Sequence, residues 1–380
     1  MIYLDNAATT LYKPEPVRKA VYEAMGTMGN SGRGAWGPAL SADRLVYAVR
    51  EKAAEFFGAW GGESVAFTGN ATEALNIVIS GLVKKGDHVI TTQAEHNSVL
   101  RPLYRKEKEG AELTILPVDQ KGNFSLEEME KAVRENTRAV ICTHASNVTG
   151  NLYPAEQIGK LCRRHGLLFI LDAAQSAGEA PIDMQKMYID VLCFTGHKGL
   201  MGPQGTGGVC VDPQVKIPAF KVGGSGILSF DREHPGCMPE ALEAGTLNIH
   251  GLAGLEAAFD YLQDTGLEKI MEYENRLAEI FYEKIRKIPG VEVYGDFSLP
   301  GRTAVVSLNV AGFTSKEAGD LLAQRYEIAT RAGVHCAPLI HQALGTMERG
   351  TLRFSFSRFN TEEEIHRAAL AVKEIAGERE

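Results

Sequence analysis

Short apolar runs alternate with helical patterns through the first half of the 380-residue chain, and this alternation constrains the fold more than any other feature. Strands that alternate with helices pair in parallel, because each helix returns the chain to the same end of the sheet. We therefore predict an α/β fold with a mostly parallel central sheet covered by helices. Its predicted strands are Val65–Thr68, Asp87–Thr91, Leu113–Pro117, Ala139–Thr143, Leu167–Leu171 and Tyr188–Phe194.

The pattern changes in the last third of the chain. A long helical stretch, Gly251–Lys287, is broken at Thr265-Gly266, and beyond it strands and helices interleave less regularly. We predict a large domain over 15–257. The extended N-terminal arm, 1–14, joins a smaller C-terminal α+β domain, 258–380.

Charge and composition exclude several classes of protein. The chain has 40 Lys+Arg against 48 Asp+Glu, a formal net charge of -8, which argues against a nucleic-acid or anionic-membrane surface. No apolar run has the length of a membrane span, and the first residues lack a signal-peptide pattern. The six cysteines form no Cys-x-x-Cys pair and no zinc spacing, so we expect no metal site and a reduced, cytoplasmic protein.

One lysine stands in a turn of small residues directly after the strand that ends at Phe194. Six glycines surround Lys198 between residues 196 and 208. Glycine lets another molecule approach the backbone closely, so we interpret Lys198 as the residue that forms a Schiff base with pyridoxal phosphate (PLP). A plain loop and a dinucleotide-binding loop are the alternatives, although a strand, Val209–Val211, rather than a helix follows.

Polar residues follow the predicted strands at the points where those strands end. Ligands of parallel sheets bind beyond the carboxyl ends of the strands, so we expect these residues to meet in one site. They are Thr72, His96, Asn147, Asp172, Gln175 and Lys198.

Two further features favour PLP. Asp172 precedes Lys198 by 26 residues, and a carboxylate against the pyridine nitrogen keeps that nitrogen protonated so that the ring accepts electrons. Residues 69–76 carry a strand into a helix, whose free N–H groups and dipole suit a phosphate. The structural alternatives are a helix cap at Asp172 and an N-cap at Asn70 or Thr72.

The C-terminal part supplies a cysteine and an arginine of interest. Cys336 lies in a segment of small and polar residues, directly after His335 and near Arg331, and both neighbours could favour its thiolate. The alternative is a partly buried loop cysteine. Arg353 begins or enters a strand and suits bidentate capture of an amino acid carboxylate, with a surface ion pair as the alternative.

These motifs together resemble the cysteine desulfurases of the class V aminotransferase group, within the fold-type I PLP-dependent transferases. The resemblance extends over essentially the whole chain, and its last motif is similar to the subgroup of sulfur-mobilisation desulfurases and selenocysteine lyases. The matching segments, in family order, are 3–10 (YLDNAATT), 95–98 (EHNS), 146–150 (SNVTG), 172–176 (DAAQS), 196–198 (GHK), 243–246 (EAGT) and 331–336 (RAGVHC).

The resemblance implies the catalytic roles. Lys198 carries the cofactor and moves the Cα proton, and Cys336 accepts the sulfur. Asp172 pairs with the pyridine nitrogen. His96 stacks on the ring and handles protons.

The resemblance also implies the binding roles. Gln175 and Asn147 lie near the ring hydroxyl or the substrate carboxylate. Thr246 reaches the phosphate of the neighbouring subunit, which implies a homodimer with shared sites. The remaining phosphate-binding residues are Ala71, Thr72, Thr195 and His197, and the substrate-binding residues are Arg353, Asn147 and Arg331.

The implied reaction converts L-cysteine to L-alanine and leaves a persulfide on Cys336 for a sulfur-acceptor protein, for instance in iron–sulfur cluster assembly. A selenocysteine lyase acting on L-selenocysteine is the first alternative. A transaminase, epimerase or lyase on another small amino acid is the second, and a sulfur-relay scaffold without catalysis is the third. Two departures from the family pattern bear on substrate preference: Trp36 after Arg33-Gly34, and the long Gly199–Gly208 turn.

Overall fold

The computed structural model of the chain describes residues 1–31, 37–299 and 301–378. The departure from the family pattern that was noted at Arg33, Gly34 and Trp36 lies outside the described residues. The helices are α1 (Glu15–Thr27), α2 (Gly37–Phe57), α3 (Ala71–Leu82), α4 (Asn97–Lys108), α5 (Leu126–Lys131), α6 (Ala155–His165), α7 (Ile249–Thr265), α8 (Leu267–Ile285), α9 (Ser315–Tyr326), α10 (Pro338–Ala343) and α11 (Glu362–Gly377). The strands are β1 (Ile2–Tyr3), β2 (Val65–Thr68), β3 (His88–Thr92), β4 (Glu112–Leu116), β5 (Thr137–Thr143), β6 (Leu168–Asp172), β7 (Val191–Thr195), β8 (Gly207–Val211), β9 (Val291–Tyr294), β10 (Val305–Val310), β11 (Ile328–Ala329), β12 (Arg331–Gly333) and β13 (Thr351–Ser355).

The central sheet has seven strands in the order β2-β8-β7-β6-β5-β3-β4. All neighbouring strands are parallel except β8, which runs antiparallel to both β2 and β7. Because β2 and β7 share the same antiparallel neighbour, they point the same way as each other. The carboxyl ends of β2, β3, β5, β6 and β7 therefore lie along one edge, and the predicted mostly parallel sheet is confirmed.

Helices cover both faces of this sheet. One apolar cluster joins α2, α6 and α7 to one face through side chains such as Phe57, Phe169 and Phe194. A second cluster joins α3 and α4 to the other face. Strands buried on both faces consist of continuous apolar runs, which explains why these segments stand out in the sequence. Among the described helices, none is long and apolar enough to cross a membrane.

A smaller antiparallel sheet, in the order β12-β13-β10-β9, lies in the C-terminal part. Helices α8, α9 and α11 bury their apolar faces against it. The α7–α8 break falls at Gly266, where φ is +87° and glycine is favoured.

The N-terminal arm is paired rather than free. Strand β1 lies parallel to β11, and Asp5 bridges to Ser355 at the end of β13. The arm therefore joins the small sheet, as the proposed grouping of 1–14 with 258–380 requires. The division at 257/258 stays a proposal.

Gly159 offers a test of how closely α6 packs. A methyl group added there would lie 1.9 Å from the carbonyl oxygen of Met187, whereas one added at Gly26 in α1 would meet no atom within 4 Å. Glycine in a helix normally costs roughly 0.5–1 kcal/mol relative to alanine. We expect Gly26→Ala to raise the free energy of unfolding by about 0.5 kcal/mol, and Gly159→Ala to lower it by roughly 1–3 kcal/mol because of the clash. Urea denaturation measures both, and a stabilised Gly159→Ala variant would contradict this packing.

Candidate active site

The shared edge of the central sheet opens into a cleft with about 480 Å³ of space. Each strand end delivers at least one polar side chain, as the position of ligands in parallel sheets leads one to expect. The cleft is lined by Asn70, Ala71, Thr72, His96, Ser98, Thr143, Ala145, Asn147, Asp172, Ala174, Gln175, Thr195, His197 and Lys198. Nine of the predicted site residues are therefore brought together, and Thr246, Arg331, Cys336 and Arg353 lie outside this lining.

Lys198 and Asp172 are the charged pair of the cleft. Burial lowers the pKa of Lys198 to about 8, although the nearby Asp172 carboxylate acts in the opposite direction. Burial raises the pKa of Asp172, whose Oδ1 accepts a hydrogen bond from Ala174 N–H (2.9 Å). Among the described residues, Lys198 Nζ makes no hydrogen bond or salt bridge. An amine with a pKa near 8 is partly neutral at physiological pH and can act as a nucleophile or a base.

The glycines beside Lys198 lie close to other segments of the chain. An added methyl group at Gly196 would lie 2.1 Å from Thr206 Oγ1, and one at Gly199 would lie 2.7 Å from the Ala177 carbonyl oxygen. These glycines allow protein segments to pack against each other, and the interpretation that they also admit a ring stays a prediction. Gly205 is the one glycine of this turn with positive φ (+74°), and Met201 has positive φ as well (+59°).

A chain of hydrogen bonds orients His96. Its Nδ1 accepts from Ser98 N–H (3.1 Å) and lies 2.8 Å from Ser98 Oγ, which is 2.7 Å from Thr72 Oγ1. Since Nδ1 is an acceptor, the proton of the neutral ring sits on Nε2. Burial lowers the pKa of His96 to about 4, with a smaller contribution from the charge of Lys198, so the ring is neutral. Ser98 is the last residue of the 95–98 motif, but no role was predicted for it from the sequence.

The part of the cleft next to helix α3 suits an anion. Helix α3 begins there with Ala71 and Thr72, and Asn70 is its N-cap, accepting from Glu73 N–H (3.0 Å). Asn70 therefore caps the helix, as the structural alternative for this segment proposed, whereas the Thr72 side chain faces the cleft. Thr195 and His197 complete this end, and the helix dipole favours negative charge there.

The residues fit the PLP that the resemblance implies. Gln175 Nε2 donates to the Ala7 carbonyl (3.0 Å), but its buried Oε1 has no partner among the described residues. A buried acceptor without a partner costs stability, and a donor on a bound molecule would satisfy it. The ring hydroxyl of PLP is such a donor, next to an amine, a carboxylate and an anion-binding helix end.

Arg353 is buried within β13 and does not form the surface ion pair considered as an alternative. Its Nη2 donates to Asp5 Oδ1 (3.1 Å) and its Nη1 to the Asn147 carbonyl (3.0 Å), while Nε has no partner among the described residues. Arg331 also donates to Asp5, at 3.0 Å. No role for Asp5 was predicted from the sequence, yet this one carboxylate binds both arginines.

Cys336 lies exposed in a loop beside the cleft. Cys336 and His335 have left-handed φ values of +57° and +49°. Asn97 N–H, next to His96, donates to the Cys336 carbonyl (2.7 Å), and Asn147 Nδ2 donates to the His335 carbonyl (2.7 Å).

A positive charge on His335 was expected to stabilise the Cys336 thiolate, and this expectation is wrong. Burial lowers the pKa of His335 well below its usual range, so this ring is neutral and supplies no positive charge. The guanidinium of Arg331 is already paired with Asp5.

Thr246 is exposed and lies apart from the cleft in a single chain. Its segment is held by Glu243, whose carboxylate accepts two hydrogen bonds from Arg50 (2.9 and 2.6 Å) and one from Phe67 N–H (2.6 Å). This bidentate pair fixes the 243–246 segment against the edge strand β2.

Comparison with known proteins now adds to this geometry. The family model for aminotransferase class-V matches residues 2–368. The chain belongs to the class-V aminotransferase family. A probable cysteine desulfurase of Methanothermobacter thermautotrophicus is 35% identical, over 99% of this chain and 95% of its own length.

Solved structures of the class-V fold agree with this chain over nearly its whole length. The apo cysteine desulfurase of Thermococcus onnurineus NA1 has a TM-score of 0.93 at 34% identity, covering 99% of this chain and 95% of that one. The cysteine desulfurase CsdA of Escherichia coli has a TM-score of 0.89 at 29% identity, covering 99% and 94%. The predicted fold class is thereby confirmed.

The pKa of Lys198 can be measured on the protein without cofactor. Only a neutral amine reacts with trinitrobenzenesulfonate, so labelling of Lys198 should rise with a midpoint near pH 8, well below the value of about 10.4 for an ordinary lysine. Because the Asp172 carboxylate raises the pKa of Lys198, Asp172→Asn should move the midpoint lower. Peptide mapping separates Lys198 from Lys13, whose pKa burial also lowers to about 8. A Lys198 midpoint near 10 would contradict the described burial.

Proposed function

We propose that this class-V protein is a PLP-dependent cysteine desulfurase, which converts L-cysteine to L-alanine and transfers the sulfur to Cys336 as a persulfide. The observation that carries the proposal is the attachment of the Cys336 loop to the cleft. Asn97 and Asn147 bind its backbone at 2.7 Å each, and both stand next to or within the lining that includes Lys198 and Asp172. Relatives named cysteine desulfurase support the same activity.

The cleft residues would hold the cofactor as follows. Lys198 provides the amine, Asp172 faces the ring nitrogen, and the unpaired Oε1 of Gln175 accepts from the ring hydroxyl. His96 would lie against the ring, and burial keeps its imidazole neutral. When bound, PLP withdraws electrons from the Cα of the substrate. The phosphate partners are Ala71, Thr72, Thr195 and His197.

Substrate binding and proton movement use the chain's own side chains. Lys198 takes the Cα proton and returns one, which its pKa of about 8 suits because proton transfer is most effective when the pKa is close to the working pH. Arg353 binds the substrate carboxylate with its unpaired Nε, and Arg331 and Asn147 complete that site. Asp5 keeps the buried Arg353 charge compensated when no substrate is bound.

Sulfur transfer is the task of Cys336. Its thiolate attacks the sulfur of the substrate, a new S–S bond forms, and the Cβ–S bond breaks with its electron pair going to the carbon fragment. Protonation of that fragment gives L-alanine. The balance is one cysteine and one Cys336 thiol converted to one alanine and one Cys336 persulfide. A thiol reductant then releases the sulfur as sulfide, or a sulfur-acceptor protein takes it.

Two further proposals concern the assembly and its surroundings. A homodimer would bring Thr246 of one subunit to the phosphate of the other, which accounts for its exposure in a single chain. The six free cysteines suit a reducing compartment, so we place the enzyme in the cytoplasm.

The activity is tested by measuring alanine and sulfide released from L-cysteine by the purified protein with a thiol reductant. We expect equal amounts of both, and loss of both in Lys198→Ala. Cys336→Ala should lose sulfur transfer while the PLP absorption band stays, because the thiol lies outside the cleft lining. Persistent sulfide release by Cys336→Ala would contradict its role. Release of a keto acid instead of alanine would indicate transamination.

The shared site is tested at Thr246. A hydrogen bond to a charged phosphate contributes about 1.5–3 kcal/mol, so Thr246→Ala should weaken PLP binding by roughly tenfold or more. Thr246→Ser keeps the hydroxyl and serves as the matched control. Titration of the cofactor-free dimer with PLP measures both, and unchanged affinity in a dimeric Thr246→Ala variant would remove Thr246 from the site.

A further inference from the structure

Two buried histidines lie behind Cys336, and the mechanism above uses neither. His335 precedes the cysteine, and His341 lies in α10, fully buried. Their ring centres are 5.9 Å apart and their planes are tilted by 36°. His335 Nδ1 and His341 Nε2 are both buried, and neither has a hydrogen-bond partner among the described residues. Buried polar atoms without partners are rare in folded proteins, so this pair calls for an explanation.

The proton on His335 can be assigned from its other contact. His335 Nε2 lies 3.0 Å from the Thr351 carbonyl oxygen, which can only accept. Nε2 therefore carries the proton, and because burial keeps the ring neutral, Nδ1 has a lone pair that needs a donor.

His341 is arranged to supply that donor. Its Nδ1 is 2.7 Å from Thr346 Oγ1, and burial lowers its pKa to about 4, with the Val334 carbonyl acting in the opposite direction. If the Thr346 hydroxyl donates to Nδ1, the single proton of the neutral ring sits on Nε2. That N–H can donate to one of two acceptors, Val334 O or His335 Nδ1. Both acceptors belong to the loop that carries Cys336. Val334 O already accepts from Ala337 N–H (2.9 Å), which leaves His335 Nδ1 as the unsatisfied one.

The loop depends on its anchors because its backbone is strained. Two consecutive non-glycine residues, His335 and Cys336, have left-handed φ, a conformation that persists only when the surroundings fix it. The backbone is fixed from the cleft side by Asn97 and Asn147. From the opposite side the only described polar anchor of the His335 ring is Thr351.

We propose that His341 is a positioning residue for Cys336: its Nε2–H donates to His335 Nδ1 through one water, and so holds the His335 ring and the strained backbone that presents the thiol. The hydrogen bonds then run in one direction, from Thr346 through His341 and His335 to Thr351. This inference rests on the proposed sulfur transfer to Cys336. It concerns sulfur transfer alone, since neither histidine lines the cleft.

Two matched pairs of variants test the proposal in the PLP-loaded enzyme. His341→Leu removes the donor and His341→Gln places an amide N–H in a similar position. Thr346→Val removes the hydroxyl that fixes the tautomer, and Thr346→Ser keeps it. We expect His341→Leu and Thr346→Val to slow persulfide formation on Cys336 in a single turnover by roughly tenfold or more, with KM for L-cysteine and the PLP spectrum unchanged. The Gln and Ser variants should retain most of the rate.

Histidine-selective ¹⁵N spectra give a readout that does not depend on activity. In the wild type, His335 should carry its proton on Nε2 and show an Nδ1 shift typical of a hydrogen-bonded acceptor, and this shift should change in His341→Leu and Thr346→Val. An unchanged His335 Nδ1 shift, or a wild-type persulfide rate in both variants, would overturn the proposal. If the wild type forms no persulfide from L-cysteine, the proposed function fails, while the spectra still decide whether the hydrogen bond exists.

Discussion

The candidate site depends on the N-terminal arm, which is hydrogen-bonded to both sheets. On the small sheet, Asn6 Nδ2 donates to the Ser355 carbonyl (2.9 Å). On the large sheet, the Ala7 carbonyl accepts from Gln175, and Thr10 binds the Lys198 turn through two hydrogen bonds, to His197 O (3.1 Å) and Lys198 O (2.8 Å). Loss of a buried hydrogen bond costs more stability than loss of an exposed one. The arm therefore fixes the two sheets, and with them Lys198 and Arg353, relative to each other.

The electrostatics of the site follow from this enclosure. Burial disfavours the charged form of any group, so it lowers the pKa of Lys198 and His96 and raises that of Asp172. The lysine and the aspartate partly offset each other's shift by mutual attraction. The result is a lysine that can exchange protons near neutral pH and a histidine that stays neutral, which is the kind of perturbation that marks functional sites.

Much of this arrangement could be predicted because it depends on order along the chain. Each strand end of a parallel sheet lies at a known edge, so Asp172 and Lys198 could be assigned to one site from the alternation alone. The position of Asp5 could not be predicted in this way. Its contacts to Arg331 and Arg353 span more than 300 residues of sequence, and no local pattern encodes them. The close packing of Gly199 could not be predicted locally either, since Ala177, which lies against it, comes from another segment of the chain.

The histidine beside Cys336 shows how burial reverses an inference made from adjacency. In sequence, a histidine next to a cysteine suggests a cation that stabilises a thiolate. In the fold, successive residues of the strained turn point in different directions, so Cys336 is exposed while the His335 ring is buried and neutral. A neutral, buried imidazole cannot act through charge, and it can only act through the direction of its hydrogen bonds. The reactivity of the cysteine therefore depends on how the loop is held, and that is decided in part by Asn147, which binds the His335 carbonyl and is distant from it in the chain.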